Sequence, residues 1–195
     1  MYNGYKLILL RKGEQGTIYP FTIKQFAEDL NEFMDELGIA KAIILGFPDG
    51  ANIAMEFALK YPHRVKALIL NAGNLNPTGV KRTVQIPIEI GYKIATCFST
   101  KSVNAKKNAE MLGLMVNEPN IKSSELGKIS APTLVICGTR DMIKETHIKE
   151  IAKSISDAKL AIVKGDHFIA NKKHQAFNNE IDEFLQTIRD CIIER

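Results

Sequence analysis

An α/β fold, with a mainly parallel five-stranded sheet flanked by helices, is the architecture this 195-residue sequence predicts. Three observations predict it. Short β-rich apolar runs alternate with longer segments of helical periodicity, which is the pattern of βαβ units. The composition, 45% hydrophobic and 25% charged with 13 Gly and 7 Pro, is that of an ordinary globular protein. No internal repeat, low-complexity tract or heptad run interrupts the alternation. A chain of this length buries roughly 70% of the surface it exposes when unfolded, so one core suffices without disulfide or metal, and residues 1–195 read as a single domain.

The strand readings are residues 6–10 (KLILL), 41–46 (KAIILG), 65–71 (VKALILN), 133–138 (TLVICG) and 159–164 (KLAIVK). Between the first two, Phe26, Leu30, Phe33, Met34 and Leu37 recur on one helical face, and Gly38 supplies the stop. Further helical patterns cover residues 51–60, 143–155 and 175–193. Residues 74–130 are too long for a structureless loop between two strands. Within them, 84–98 and 105–116 are both helix-compatible. The segment reads as a helical cap or lid inserted over the sheet edge, bounded by Asn76-Pro77 and Ala131-Pro132. A longer crossover packed on the sheet face is the alternative.

The formal charge is +4, from 26 Lys and Arg against 22 Asp and Glu. Residues 74–130 hold Lys81, Arg82, Lys93, Lys101, Lys106, Lys107, Lys122 and Lys128 against Glu89, Glu110, Glu118 and Glu125, so that segment accounts for the whole excess. No aromatic residues interleave these cations as a base-stacking platform would require, which argues against nucleic acid as a partner. Cys97, Cys137 and Cys191 form no CxxC, which suits a reducing compartment. The apolar stretch near the start is too short for a signal peptide or a membrane span, and the expected location is cytoplasmic.

Three short segments follow predicted strands, where an open parallel sheet places its functional loops. They are Gly46-Phe47-Pro48-Asp49-Gly50, Gly138-Thr139-Arg140-Asp141 and Gly165-Asp166-His167-Phe168. A strand-turn-helix of G-x-x-x-G type, then an Asp, then a His after the last strand is the chain order of an α/β-hydrolase triad. Over nearly its whole length the sequence resembles that family, of the esterase or lipase-like kind. The most specific parts are GFPDGANIAMEFALKYPHRVKALILNAG and the later GTRD and GDHF.

The resemblance implies an α/β-hydrolase-like fold with a helical cap, a small acyl or ester-type ligand, Asp141 as the triad acid and His167 as the general base. It places the nucleophile at Pro48, where the family has serine, and makes the backbone N–H of Asp49 the remaining oxyanion donor. The family nucleophile sits on a strained turn with positive φ, whereas proline fixes φ near −65° and suits the first turn of a helix. Pro48 therefore predicts a relaxed strand-to-helix turn, with the Asp49 side chain pointing away from the nucleophile position. The chain also starts about three strands into the family order, without the His-Gly loop that carries the other oxyanion donor. The implied function is that of a carboxylic-ester hydrolase relative, impaired by a degenerate catalytic triad. A non-catalytic ligand-binding or interaction protein and a truncated fragment are the alternatives.

Taken alone, Asp141 would read as a cap for the helix that follows it, and His167 as a hydrogen-bonded structural residue. His63, His147 and His174 have no metal-ligand spacing, so packing or surface roles are expected of them and no metal. Neither GxGxxG nor a P-loop is present, so no cofactor is expected. Cys137, inside a predicted buried strand, reads as an inert small hydrophobe. The resemblance further suggests an exposed apolar sheet edge and a homo-oligomer formed through it.

Overall fold

The structure, a computed structural model, describes residues 21–193. The strand read at residues 6–10 lies outside them. The described chain runs α1 (Ile23–Glu36), β1 (Ala42–Gly46), α2 (Asp49–Lys60), β2 (Val65–Asn71), α3 (Arg82–Phe98), α4 (Val103–Asn117), β3 (Thr133–Arg140), α5 (Glu145–Ser154), β4 (Ala158–Asp166), α6 (Ile169–Lys172) and α7 (His174–Ile193). Among the described residues there are four strands rather than five, in the order β1-β2-β3-β4 and all parallel.

Local chemistry sets the element boundaries. The Thr22 hydroxyl accepts from the Gln25 N–H at 3.1 Å and opens α1, and Gly38 at φ 63° lets the chain leave it. The helix ends at Glu36, so Leu37 turns out to solvent and the buried face is Ile23, Phe26, Ala27 and Met34. β2 is a near-continuous aliphatic run buried on both faces, as a central parallel strand requires. α5 starts at Glu145 rather than at 143, because Ile143 pairs with Val80 in an antiparallel bridge. α6 is four residues long, too short for periodicity to reveal.

Two apolar layers cover the sheet. On one face Met55 and Phe57 of α2, Leu68 and Leu70 of β2, and Ile148 and Ile151 of α5 form the larger cluster. On the other, Ile69, Leu134, Ile136 and Val163 pack against Ile169, Phe177 and Phe184 of α6 and α7. Arg64, at the entry to β2, is nearly buried and is held by the Asp35 carboxylate, the Asn31 side-chain carbonyl at 2.8 Å and the Ile39 carbonyl at 2.6 Å. That network ties α1 to the sheet.

Residues 74–130 contain α3 and α4, which pack on each other as a hairpin. Gly91 and Gly113 let the helices approach. A Cβ at Gly91 would lie 3.4 Å from Leu112, and one at Gly113 would lie 3.1 Å from Tyr92. Neither helix contributes to the two clusters on the sheet faces. The hairpin returns to the body through Leu114, buried with Ile23 and Phe26, and through Glu118, whose carboxylate accepts the Ile23 N–H at 2.6 Å.

Its entry is stitched to the loop after β3. Lys81 N–H donates to the Met142 carbonyl and Lys144 N–H to the Gly79 carbonyl, each at 2.8 Å. The Leu75 N–H donates to His147 Nε2 at 2.9 Å, and the Leu75 carbonyl accepts from Ile121 at 2.8 Å. His147 is therefore a structural brace that must be neutral to accept. Burial, then Lys144, push its pKa down, against an opposing pull from Glu150. This favours the neutral form in the folded state, so the contribution is complete above the unfolded value of about 6.5 and is lost as pH falls through the depressed folded value. We expect His147→Ala to cost about 1–3 kcal/mol at pH 8. Urea denaturation should show the variant losing less stability than the parent between pH 8 and pH 5.

Candidate active site

The turn after β1 is built by close approach. A Cβ on Gly46 would lie 2.1 Å from the Gly50 carbonyl oxygen and 2.4 Å from the Ala51 nitrogen, so only glycine lets β1 run directly into α2. Pro48 then adopts φ −71° and ψ −43°, helical values, and caps α2 with its carbonyl accepting from Ala51 at 3.0 Å and Asn52 at 3.3 Å. The relaxed turn expected from proline is what forms. Gly50 has open space where a side chain would sit. Among the described residues the non-glycine with positive φ is Ala72, at 55°, after β2. Pro48 is not strained.

Asp141 and His167, each just beyond a strand end, meet. His167 Nδ1 lies 2.7 Å from Asp141 Oδ1, with the two residues 5% and 3% exposed. The same carboxylate accepts from the Ile143 N–H at 3.0 Å and from the Gly138 N–H at 3.2 Å. Burial by itself would raise the Asp141 pKa, but the bonds from His167, Ile143 and Gly138 together outweigh it and hold the carboxyl below its ordinary range. Asp141 does not cap α5, whose N-cap is Lys144. It folds its own loop and fixes the imidazole, and no hydrogen bond engages Nε2 among the described residues.

An aromatic shell encloses the ring. Phe47 lies 4.8 Å from the His167 centroid and Phe168 lies 5.4 Å from it, with 6.1 Å between the two phenyl rings. Asp49 heads α2 with its N–H lacking an acceptor among the described residues, as a first-turn amide does. Its side chain was expected to point away from the site. The carboxyl is close enough to feel the charge of His167. Burial pushes its pKa up, and the imidazolium charge opposes that.

Beneath the strand ends, the Asn52 side-chain amide donates to Asn74 Oδ1 at 3.0 Å, and Asn52 Oδ1 accepts the Asn74 backbone N–H at 2.8 Å. Asn71 closes β2 fully buried, with neither side-chain amide atom hydrogen-bonded among the described residues. Burial, then the Asp141 and Glu145 charges, push the Cys137 thiol up to about 12, which leaves it unreactive at neutral pH. Among the described residues no group of three His, Cys, Asp or Glu could hold a metal ion. None of the described helices is long and apolar enough to cross a membrane.

The Phe47–His167–Phe168 cluster and the Asp49 carboxyl were not read from sequence. The signal available was the pairing of GFPDG with GDHF, each placing an aromatic within two residues of a polar one at a strand end.

Comparison with known proteins bears on the fold. The family described as alpha/beta hydrolase fold matches residues 11–90. Homoserine O-acetyltransferase of Thermus thermophilus is 45% identical over 53 residues, which is 27% of this chain and 14% of that protein. Proline iminopeptidase of Saccharolobus solfataricus is 25% identical over an alignment of 219 residues, covering 88% of this chain and 69% of that one. The chain thus spans a small part of the first of these relatives and somewhat over two thirds of the second.

Among solved structures, the meta-cleavage product hydrolase CumD of Pseudomonas fluorescens superposes with a TM-score of 0.68 at 20% identity, over 89% of this chain and 75% of that one. A thermophilic esterase of Thermogutta terrifontis gives 0.66 at 19%, over 92% and 78%. With its all-parallel sheet, its flanking helices and these superpositions, the described chain has the α/β-hydrolase fold.

Proposed function

We propose that this protein is a relative of carboxylic-ester hydrolases that has lost the serine pathway and keeps only a histidine–aspartate base. The reading rests on one observation: a buried His167–Asp141 pair at 2.7 Å whose nucleophile position, Pro48, has no hydroxyl and a helical backbone. No side chain at that position can form an acyl-enzyme. The α3–α4 hairpin acts as the cap, because its entry is hydrogen-bonded to residues 142 and 144, beside the acid.

The surviving groups can still work on water. With Nδ1 engaged by Asp141, Nε2 is the nitrogen that accepts a proton from a water whose oxygen bonds to the ester carbonyl carbon. The oxyanion that forms is stabilised by the Asp49 N–H. As the bond to the leaving oxygen breaks, Nε2 returns the proton to that oxygen. Asp141, held ionised, stabilises the intervening imidazolium. A positioned base contributes about 10²- to 10⁴-fold, well short of a complete triad.

With short-chain p-nitrophenyl esters, turnover should be slow, show no burst and disappear in His167→Ala, and a fluorophosphonate probe should leave the protein unlabelled. A stoichiometric burst or probe adduct would sink the proposal. Pro48→Ser should raise turnover less than about tenfold, because the backbone there is a helix start rather than a strained turn. Asp141→Asn should abolish the residual activity. It should also cost about 2–4 kcal/mol at neutral pH by urea denaturation, since three buried donors lose a charged acceptor. A depressed carboxyl contributes stability above the unfolded value near 3.9 and loses it as pH falls through the lower folded value, so the gap from the parent should close there.

A further inference from the structure

The α3–α4 hairpin carries a surface that the site chemistry does not use. Ile86, Ile90, Ile94 and Phe98 recur every four residues along α3, which places them in one row, and all are 40–55% exposed. Val103 and Met111 of α4 add apolar side chains that are 72% and 60% exposed. Between the helices runs an open apolar groove of about 400 Å³, walled by Ile94 and Phe98 on one side and Ala105 and Leu112 on the other. A row of large apolar residues in water is unusual for a helix that could have turned that row toward the core. Here it cannot turn, because Gly91 and Tyr92 are committed to α4 through Leu112 and Gly113.

Charge decides what fits this surface. Exposed Lys93, Lys101, Lys106 and Lys107 lie on the same hairpin, with Lys101, Lys106 and Lys107 grouped around the α3–α4 turn beside Phe98 and Val103. Against them the two helices hold only Glu89 and Glu110. A second copy of the chain would bring two faces of the same sign together, which opposes a symmetric dimer through this surface. Apolar side chains that can enter an acyl boundary, ringed by cations that pair with headgroups, are the chemistry of a helix lying on an anionic bilayer.

We propose that the tip of the α3–α4 hairpin docks on anionic phospholipid surfaces, with the α3 row seated at the headgroup–acyl boundary and the lysines on the headgroups. This docking is independent of whether His167 catalyses anything. It would leave the residue 74–81 and 121 joints, which fasten the hairpin to the body, away from the lipid.

The chain contains no tryptophan, so Phe98→Trp places one reporter at the site without background. Mixed with vesicles of 30% phosphatidylglycerol in phosphatidylcholine at low salt, this full-length variant should show a blue-shifted emission, and the parent chain should co-sediment with them. Pure phosphatidylcholine vesicles should bind at least tenfold less. Raising the salt to 0.5 M should release most of the protein. Lys101→Glu/Lys106→Glu/Lys107→Glu and Ile90→Asp/Ile94→Asp should each weaken co-sedimentation at least tenfold, with circular dichroism and melting unchanged because every altered side chain is exposed. Absence of binding at low salt would overturn the proposal, as would equal binding to neutral vesicles or full retention by both variants. So would a concentration-dependent dimer, seen by sedimentation velocity, that shifts the emission of the Phe98→Trp variant without lipid.

Discussion

The Asp141 carboxylate is where the fold and the site depend on each other. One oxygen takes the Ile143 N–H and the His167 imidazole, and the other takes the Gly138 N–H, so the loop after β3 is wound around a single buried charge. The main-chain carbonyl of the same residue accepts the Lys81 ammonium, and the adjoining positions 142 and 144 pair with residues at the hairpin entry. Removing that charge would free three donors in a region with almost no solvent, at a cost well above that of a surface ion pair. The loop that orients the histidine therefore also fixes where the hairpin leaves the body.

Pro48 acts through conformation as much as through its missing hydroxyl. Gly46 brings the strand end within contact of the first turn of α2, a close approach that would also suit a strained elbow. A proline with helical φ and ψ takes that geometry and uses it to open the helix, with Ala51 and Asn52 bonded to its carbonyl. The open space at Gly50 is consistent with this, since no neighbouring backbone presses on that residue. Here the turn is a structural joint first, with the Asp49 N–H left without an acceptor among the described residues.

How much of this can be read from residues alone follows the range of the interactions involved. β2 is delimited residue for residue, because a buried run of aliphatic residues between Arg64 and Gly73 is a local property. The Asp141–His167 contact is legible too, since chain order and strand ends constrain it strongly. α6 is lost to its four-residue length, and the late start of α5 is hidden because the Val80–Ile143 bridge spans 63 positions of sequence. The outward face of α3 is illegible for a different reason: periodicity identifies an apolar row without saying what the row faces. The brace at His147 likewise depends on Leu75, a partner that no motif announces.

A retained Asp–His pair is weaker evidence of catalysis than its geometry suggests, and the same hydrogen bonds explain why. Asp141 has two backbone donors that need it whether or not a substrate ever binds, so its persistence is accounted for by stability alone. His167 is the more telling residue. Its contribution to Asp141 requires only Nδ1, and an amide or hydroxyl donor could supply that bond without an imidazole. What an imidazole adds is the second nitrogen, without a hydrogen-bond partner among the described residues, on a ring walled by Phe47 and Phe168. Those features have no structural use that a simpler donor would not also meet. Any chemistry at this site would run through Nε2 rather than through the pair as a whole.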